Sequence, residues 1–223
     1  MIYKYRAIIF DFDDTLIDSK GGIVYHQKVA ASMGWRVPAK KELEKYWGLG
    51  WEEFIGKCWP EISFVDFRQA YIDYNKEEPR HYTHFSGARR AIKKLKKENF
   101  ILGILSNRNT QSILDILRQM NFSLDDFETI CGEEEVFFHK PDPRAFDEIL
   151  AELGKKGIRP EEMIYVGDTG FDLAASRGRG IKFVGVLTGL AEREEFTALG
   201  VPAPDVIKSV KDLPAWLAKY GKG

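Results

Sequence analysis

Cysteine is scarce in this sequence, and the scarcity excludes two kinds of stabilising site. The chain of 223 residues has only two cysteines, Cys58 and Cys131, which lie far apart and outside any CxxC spacing. Such a pair provides neither a disulfide framework nor a cysteine zinc site, and it suits a reducing compartment. We expect both cysteines to be packing residues.

An excess of charge of either sign is also missing. The chain carries 33 lysines and arginines against 34 aspartates and glutamates, a formal net charge of −1. The basic footprint of a nucleic-acid-binding or membrane-surface protein is therefore absent. We expect the protein to bind a small metabolite and neither nucleic acid nor a membrane. We expect it to be either a monomer or a homodimer.

Long hydrophobic runs are absent as well. No stretch approaches the ~20 apolar residues of a membrane span, and the N-terminal "MIYKYR" lacks the apolar segment of a secretory signal. A cytoplasmic protein is the expectation. Hydrophobic residues make up 44% of the chain, which suits the packed core of one large domain or of one domain with a small insertion.

Short, continuous apolar runs alternate with helical stripes from residue 86 onward. One stripe places Ala88, Ala91, Ile92 and Leu95 at i, i+3, i+4 and i+7. Strands that are apolar throughout and separated by helices predict a doubly wound, Rossmann-like α/β core, with a parallel sheet covered on both faces. The predicted strands are 5–10, 101–105, 128–131, 163–167 and 183–187.

The segment between the first strand and this alternating region has a different character. Residues 18–85 are rich in Trp, Tyr, Lys and Glu, show helical patterns without a convincing strand, and are interrupted by glycines and prolines. We therefore predict a core domain of residues 1–17 and 86–223, with a small all-helical domain of residues 18–85 inserted after the first strand.

Acids, hydroxyls and one lysine come near the ends of the predicted strands, where ligands of open parallel sheets bind. Each could be an ordinary turn or helix-capping residue when taken alone. Together, the carboxylates would repel one another unless a cation lay among them, and hard oxygen ligands suit Mg²⁺. The residues are Asp11, Asp13, Thr15, Ser106, Asn107, Lys140, Asp168 and Asp172.

A magnesium site of this kind typically serves a phosphate-bearing substrate. One aspartate could attack phosphorus as a nucleophile, and a second acid would protonate the leaving oxygen and later activate water. Asp11 and Asp13 lie two residues apart on one loop and can supply both roles. Lys140 and the Ser106 hydroxyl would then contact phosphate oxygens.

Four motifs, in this order, resemble the haloacid dehalogenase superfamily of phosphatases. The similarity continues into two C-terminal segments that look like the end of the core in phosphoglycolate phosphatase-like members, so that it covers most of the chain except the insertion. The motifs are "DFDDT" (11–15), "LSN" (105–107), "KPDP" (140–143) and "GDTGFD" (167–172), and the segments are "GVLTGL" (185–190) and "PDVIKSVKDLP" (204–214).

The resemblance implies roles for the acids of these motifs. Asp11 would be the nucleophile and a metal ligand. Asp13 would be the general acid and base, with its main-chain carbonyl also on Mg²⁺, and Asp168 would complete the protein ligands of the metal. Asp14 occupies a position that varies in residue type across the family, so we interpret it as a turn residue.

The remaining motif residues would hold the phosphoryl group and the loops. Ser106 and Asn107 would bind the transferring phosphoryl group, and Lys140 would offset its charge and that of the nucleophile. Thr15 would help to hold the first loop. Asp172 would support the metal site through a metal-bound water or through Lys140.

The insertion is placed like the helical cap of the family's first cap subclass, which closes over the site and excludes water. In such caps a glycine-containing loop touches the substrate, and the candidate here is "YWGLGWEEF" (46–54). Trp47 and Gly48 are the candidate contacts, although the tryptophans of this loop could instead pack the helices of the insertion. Arg108 could reach a substrate anion from the core side or remain a surface charge.

Other interpretations stay open beside a Mg²⁺-dependent phosphatase of a small phosphomonoester such as phosphoglycolate. By the same resemblance, the dehalogenases and the phosphonate-cleaving members of the family lack an acid at the position of Asp13. The presence of Asp13 therefore argues against both activities. A mutase of the β-phosphoglucomutase kind tends to have two adjacent acids in the fourth motif, where this chain has a spaced pair, and an inorganic pyrophosphatase would fit the same core. A receiver-type signalling domain would need its phosphorylated aspartate after the third strand, where the chain has "CGEEEVFF".

Overall fold

The computed structural model of the protein describes residues 3–222, and its central element is a six-stranded parallel sheet. The sheet order is β5-β4-β1-β6-β7-β8, while β2 and β3 form a separate antiparallel pair. The strands are β1 (Ala7–Phe10), β2 (Ile17–Asp18), β3 (Thr83–His84), β4 (Ile101–Leu105), β5 (Thr129–Cys131), β6 (Met163–Gly167), β7 (Lys182–Val186) and β8 (Val206–Ile207).

The chain fills the sheet outward from its centre. It runs from β1 to β4 and β5 on one side, and then returns to β6, β7 and β8 on the other, with every pairing parallel. The change of direction lies beside β1, which is where doubly wound sheets bind their ligands. The predicted Rossmann-like α/β core is confirmed.

Helices cover both faces of the sheet, and the side chains of β1 show why its sequence is apolar throughout. Ile8 and Phe10 belong to one hydrophobic cluster, and Ala7 and Ile9 to another on the opposite face. The helices are α1 (Gly21–Ser32), α2 (Lys40–Glu44), α3 (Trp51–Cys58), α4 (Phe64–Glu77), α5 (Ala88–Lys97), α6 (Thr110–Gln119), α7 (Asp147–Gly154), α8 (Gly170–Gly178), α9 (Arg193–Ala198) and α10 (Leu213–Tyr220).

The first face is packed by α5, α6 and α10, and the second by α7, α8 and α9. Burial on both sides removes the polar alternation that a half-exposed strand would show. None of the helices within residues 3–222 has the length and apolar character needed to cross a membrane.

The helices α1 to α4 pack around a hydrophobic cluster of their own. Its largest fully buried side chains include Trp59 and Phe67, whose rings lie 4.6 Å apart between centroids. Cys58 is buried in this cluster and Cys131 on the second face of the core, so both cysteines are packing residues as predicted. The division into domains at residues 18 and 85 stays a prediction.

A short ribbon at the base of this segment differs from the expectation of helices alone. β2 and β3 pair antiparallel, with Ile17 opposite His84 and Asp18 opposite Thr83. The ribbon brings the outgoing and returning chain together directly after the first motif. Strands of two residues carry no periodic pattern, so the sequence gives no signal for them.

Gly103 in the middle of β4 allows the two neighbouring strands to approach. A Cβ at this position would lie 2.8 Å from Ile9 Cδ1 and 2.9 Å from Thr129 Cγ2, closer than side-chain carbon atoms come to such neighbours. The central strand β1 and the edge strand β5 therefore both press on this glycine. A methyl group would force one of them to move.

We expect Gly103→Ala to lower the free energy of unfolding by about 1–3 kcal/mol, because overpacking displaces well-packed core groups. Urea denaturation followed by circular dichroism measures the change. The matched control is Gly154→Ala at the end of α7, where no atom lies within 4 Å of the added methyl group. Equal effects of the two substitutions would show that close packing at β4 is not what excludes a side chain.

Candidate active site

The carboxylates predicted at the strand ends meet at one edge of the sheet. Asp11 follows β1, and its main-chain N–H donates to Val166 O of β6 at 2.8 Å. Asp168 and Asp172 follow β6. Each of the three offers a carboxylate oxygen within 4.8 Å of the other two, and all three residues are buried.

Lys140 is the cation at the centre of this cluster. Its Nζ donates to Asp11 Oδ1 at 2.7 Å, to Asp172 Oδ1 at 2.6 Å and to the Tyr165 hydroxyl at 2.8 Å. Burial alone would lower the pKa of Lys140, but the charges of the two carboxylates outweigh it and raise the pKa. The ammonium group therefore stays charged although only 4% of the residue is exposed.

Tyr165 is a member of this network that sequence reasoning missed. It lies within the buried strand β6, where the sequence pattern indicates only an apolar residue. Its hydroxyl donates to Leu105 O at 2.9 Å while it accepts from Lys140, so it joins the lysine to the end of β4. A buried tyrosine hydroxyl needs a polar partner. A tyrosine two residues before the end of a buried strand is therefore the sequence signal that could indicate a residue of the site.

Both oxygens of the Asp172 carboxylate accept hydrogen bonds. Its Oδ1 accepts from Lys140, and its Oδ2 accepts from the main-chain N–H and the hydroxyl of Thr169 at 2.9 and 2.6 Å. The Asp172 N–H in turn approaches the Thr169 hydroxyl at 3.3 Å, which makes a capping box at the start of α8. Asp172 thus fixes both the helix and the lysine.

Asp168 connects the first and fourth motifs. Its Oδ1 accepts from the Thr15 hydroxyl at 3.1 Å, which links the loop after β1 to the loop after β6. Gly189 packs so closely that a Cβ there would overlap the carboxylate. Burial, together with the charges of Asp172 and Asp11, raises the pKa of Asp168 well above its usual range. The three buried carboxylates therefore carry more negative charge than the surrounding protein groups neutralise.

The nucleophile candidate has the same imbalance. Burial raises the pKa of Asp11 to about 7, with Lys140 opposing and Asp172 adding to the increase. One ammonium group faces three buried carboxylates, which is the donor set and the charge excess that a hard divalent cation would neutralise. The residues present therefore fit a magnesium ion.

Asp13 lies outside this carboxylate cluster. Its Oδ2 accepts from Arg108 Nε at 2.7 Å and its Oδ1 from Arg108 Nη2 at 2.6 Å, a bidentate ion pair. Burial would raise the pKa of Asp13, but the Arg108 charge and hydrogen bonds more than offset it, and the pKa is lowered. The two acids of the first motif are therefore held in opposite electrostatic environments.

Arg108 is part of the site and not a surface charge. Only 16% of its side chain is exposed, and Nη1 also donates to the Ser112 hydroxyl at 3.2 Å and the Tyr82 hydroxyl at 3.3 Å. Of the two interpretations that the sequence left open, the structure contradicts an exposed surface charge and places Arg108 beside Asp13. The side chain reaches back from the second motif to the first.

The second motif holds the lysine in place. The Asn107 side chain pairs with the main chain of Lys140, accepting from its N–H at 3.0 Å and donating to its carbonyl at 2.9 Å. The Ser106 hydroxyl accepts from the Arg108 N–H at 3.3 Å and lines the same cavity as Asp11. The Asn107 amide is thus occupied, whereas the Ser106 hydroxyl still has a proton to donate.

The predicted substrate loop of the insertion is bound to the core. Trp47 Nε1 donates to Asp14 Oδ2 at 3.1 Å, and Gly48 O accepts from Asn107 Nδ2 at 2.9 Å. Asp14 adopts a left-handed turn with φ of 53°, as a turn residue can, and its Oδ1 also accepts from the Ser19 N–H at 2.8 Å. Its carboxylate therefore does more than occupy a turn.

A cavity of about 830 Å³ lies between the insertion and the core. Asp11, Ser106 and Lys140 line it from the core, and Trp47 and Gly48 line it from the insertion. The cavity is large enough for a small metabolite. The groups that could carry out phosphoryl transfer thus line one shared cavity.

Comparisons with known proteins agree with this geometry. The family model for haloacid dehalogenase-like hydrolases matches residues 8–186. A phosphoglycolate phosphatase from Aquifex aeolicus is 30% identical over 189 residues, which cover 82% of this chain and 85% of that protein. A phosphoglycolate phosphatase from Photorhabdus laumondii is 26% identical over 213 residues, which cover 91% and 87%.

A solved structure points the same way. A haloacid dehalogenase-like hydrolase from Bacteroides fragilis superposes with a TM-score of 0.79 at 28% identity, over 94% of this chain and 99% of that one. The family model itself spans well over half of the sequence and includes all four motifs. The chain therefore belongs to the family of haloacid dehalogenase-like hydrolases.

Proposed function

We propose that the protein is a Mg²⁺-dependent phosphatase that hydrolyses a small phosphomonoester of the phosphoglycolate kind through an aspartyl phosphate on Asp11. The observation that carries the proposal is the ammonium of Lys140 at 2.7 Å from Asp11 Oδ1, on the wall of the cavity between the insertion and the core. As a family member similar to phosphatases along most of its length, the chain is a hydrolase of phosphoric ester bonds.

Asp11, Asp168 and the main-chain carbonyl of Asp13 would hold the Mg²⁺. When bound, the ion would supply positive charge beside the phosphoryl oxygens and the carboxylates. Asp172 is better suited to support than to ligation, because both of its oxygens already accept hydrogen bonds.

Asp11 is the proposed nucleophile. Lys140 donates to Oδ1, which leaves Oδ2 to form the bond to phosphorus as the bond from phosphorus to the leaving oxygen breaks. The Ser106 hydroxyl and the main-chain N–H of Asn107 would hold the phosphoryl oxygens, because the Asn107 side chain is engaged with Lys140. Lys140 would stabilise the negative charge that they share with the nucleophile.

Asp13 is the proposed proton carrier for both halves of the reaction. In the first half it would protonate the leaving oxygen. In the second it would take a proton from water, whose oxygen bonds to phosphorus as the phosphorus–Oδ2 bond breaks and the Asp11 carboxylate returns. Since Arg108 lowers its pKa, Asp13 is ionised in the free protein and takes up a proton before it acts as an acid.

The helical insertion would act as the cap that excludes water from phosphoryl transfer. Its loop already contacts the core through the bonds from Trp47 to Asp14 and from Asn107 to Gly48. Hydrolysis of the aspartyl phosphate needs one water in place, so a cap that shields the cavity from bulk solvent would favour the intended reaction.

We expect Asp11→Asn to reduce phosphate release by at least about 10³-fold, because an amide is a poor nucleophile. Release is measured over a panel of small phosphoesters with Mg²⁺, and intact-mass spectrometry follows the phosphoryl group on the wild-type protein. Asp73→Asn, at an exposed position on α4, serves as the matched control.

Turnover by Asp11→Asn close to that of the control would contradict the covalent mechanism. Interconversion of sugar 1- and 6-phosphates without net phosphate release would instead identify a mutase. Release from inorganic pyrophosphate in preference to every ester would identify a pyrophosphatase.

We expect the effect of Asp13→Ala to depend on the leaving group. Alkyl esters need a proton on the departing oxygen, so their kcat should fall by about 10²–10⁴-fold, whereas p-nitrophenyl phosphate should lose much less. The measurement compares the two ester classes on the same preparation. Equal losses for both would remove the acid role assigned to Asp13.

We expect Mg²⁺ affinity to fall as pH decreases below about 7. Asp11 has its pKa raised to about 7 in the metal-free protein and must lose its proton to become a ligand, and the pKa of Asp168, the second carboxylate ligand, is raised as well, so protons compete increasingly with the metal as the pH falls. Calorimetric titration between pH 5.5 and 8.5 should show a loss of at least about tenfold per pH unit on the acid side. A constant affinity would contradict ligation by Asp11.

A further inference from the structure

Arg80 is a cation of the cavity that the proposed reaction does not use. It lies in the chain that returns from α4 to β3, is partly buried, and lines the same space as Asp11 and Lys140. Among the ion pairs within residues 3–222, none joins Arg80 to a carboxylate, whereas Arg108 nearby has Asp13. A guanidinium in such a place is available to an anion.

The guanidinium of Arg80 is held in a defined position. Its Nη2 donates to Ser19 O at 2.7 Å, its centre lies 4.5 Å from the Tyr82 ring, and Nη1 lies 3.5 Å from the Tyr71 hydroxyl. Gly22 makes room for it, because a Cβ there would overlap Nη2. These contacts use only part of the five N–H donors of an arginine.

The charges around Arg80 are unbalanced. The Arg108 guanidinium lies 5.3 Å from the same Tyr82 ring, so two cations share one aromatic side chain while a single carboxylate, that of Asp13, pairs with one of them. His26, which also lines the cavity, is neutral because burial above all lowers its pKa to about 3. The charge of Arg80 also acts on Asp13, but two guanidinium groups facing one carboxylate still leave a net positive charge on this side of the cavity, which attracts an anion.

We infer that Arg80 and the Tyr71 hydroxyl form a second-anion subsite, which binds a carboxylate or a second phosphate at the end of the substrate away from the transferring phosphoryl group. The subsite presupposes the phosphatase proposed above and narrows its substrates to phosphomonoesters that carry another anionic group. Arginine suits this role, because its planar N–H groups match the oxygens of a carboxylate or phosphate.

The subsite is tested by binding, independently of turnover. The probes are two non-hydrolysable acids, 3-phosphonopropionate and 4-phosphonobutyrate, each compared with the alkylphosphonate in which a methyl group replaces the carboxylate. Calorimetry with Mg²⁺ present gives the four dissociation constants. In the wild type we expect at least one acid to bind about 10- to 100-fold more tightly than its methyl partner, as for a charged hydrogen bond.

Arg80→Met should abolish that preference while the alkylphosphonates bind as before, and Arg80→Lys should retain part of it. Arg159→Met is the matched control, because Arg159 is exposed and pairs with Glu161 and Glu162. Equal binding of acid and methyl partners to the wild type would overturn the subsite. The subsite would also be overturned if Arg80→Met weakened the binding of the acids and of the alkylphosphonates to the same extent, because an arginine with a merely structural role would affect both classes of probe. A wild-type protein that binds none of the four probes would overturn it as well.

Phosphate release then separates this inference from the proposed function. Phosphoglycolate and ethyl phosphate differ by the same carboxylate, and Arg80→Met should lower kcat/KM for the first by about 10- to 100-fold and leave the second within about threefold. If 3-phosphonopropionate is the acid preferred in binding, wild-type turnover of ethyl phosphate without preference for phosphoglycolate would overturn the subsite alone. If 4-phosphonobutyrate is preferred instead, the phosphate esters of 3-hydroxypropionate and of propanol make the same comparison. An Arg80-dependent preference in binding without any release of phosphate would count against the phosphatase and not against the subsite.

Discussion

The burial of three carboxylates around one ammonium group is the constraint on which the rest of this structure depends. Asp11, Asp168 and Asp172 come from two adjacent strands, and such a cluster persists only when each charge has a partner. Lys140 pairs with Asp11 and Asp172, while Asp168 accepts a hydrogen bond from the Thr15 hydroxyl and has no cation of its own among the ion pairs of residues 3–222, which is the charge that a metal ion would balance. The apolar strands and the two layers of helices hold these loops together against their mutual repulsion.

Two basic residues give the two acids of the first motif different electrostatic environments. Lys140 shares the buried cluster with Asp11, where desolvation dominates and raises the carboxyl pKa to about 7. Arg108 faces Asp13 with a bidentate fork, and the pKa of that carboxyl is lowered. Acids two residues apart can carry different parts of a reaction only if their surroundings differ, and here separate loops supply the two cations.

The sequence predicts the core well because burial on both faces leaves a clear record in continuous apolar runs, as in β1 and β6. It fails where an element or a contact is short. β8 and the β2–β3 pair have two residues each, and no periodicity can show in so few. The sequence does not reveal the partners of Tyr165 and Arg108, because their polar atoms contact residues on distant loops that only the fold brings together.

The groups proposed for bond making lie in the core, while much of the cavity wall belongs to the insertion and its linkers. Trp47 and Gly48 form hydrogen bonds with the core loops, and Gly48 is bound by the Asn107 side chain. Because the same side chain also binds the main chain of Lys140, movement of the insertion would displace Asn107 and, through it, Lys140. Arg80 lies in the linker that leads back from the insertion, and it donates to Ser19 O in the linker that leads into it. A substrate anion at Arg80 would therefore contact the base of the insertion, which ties recognition of the substrate to the position of the proposed cap.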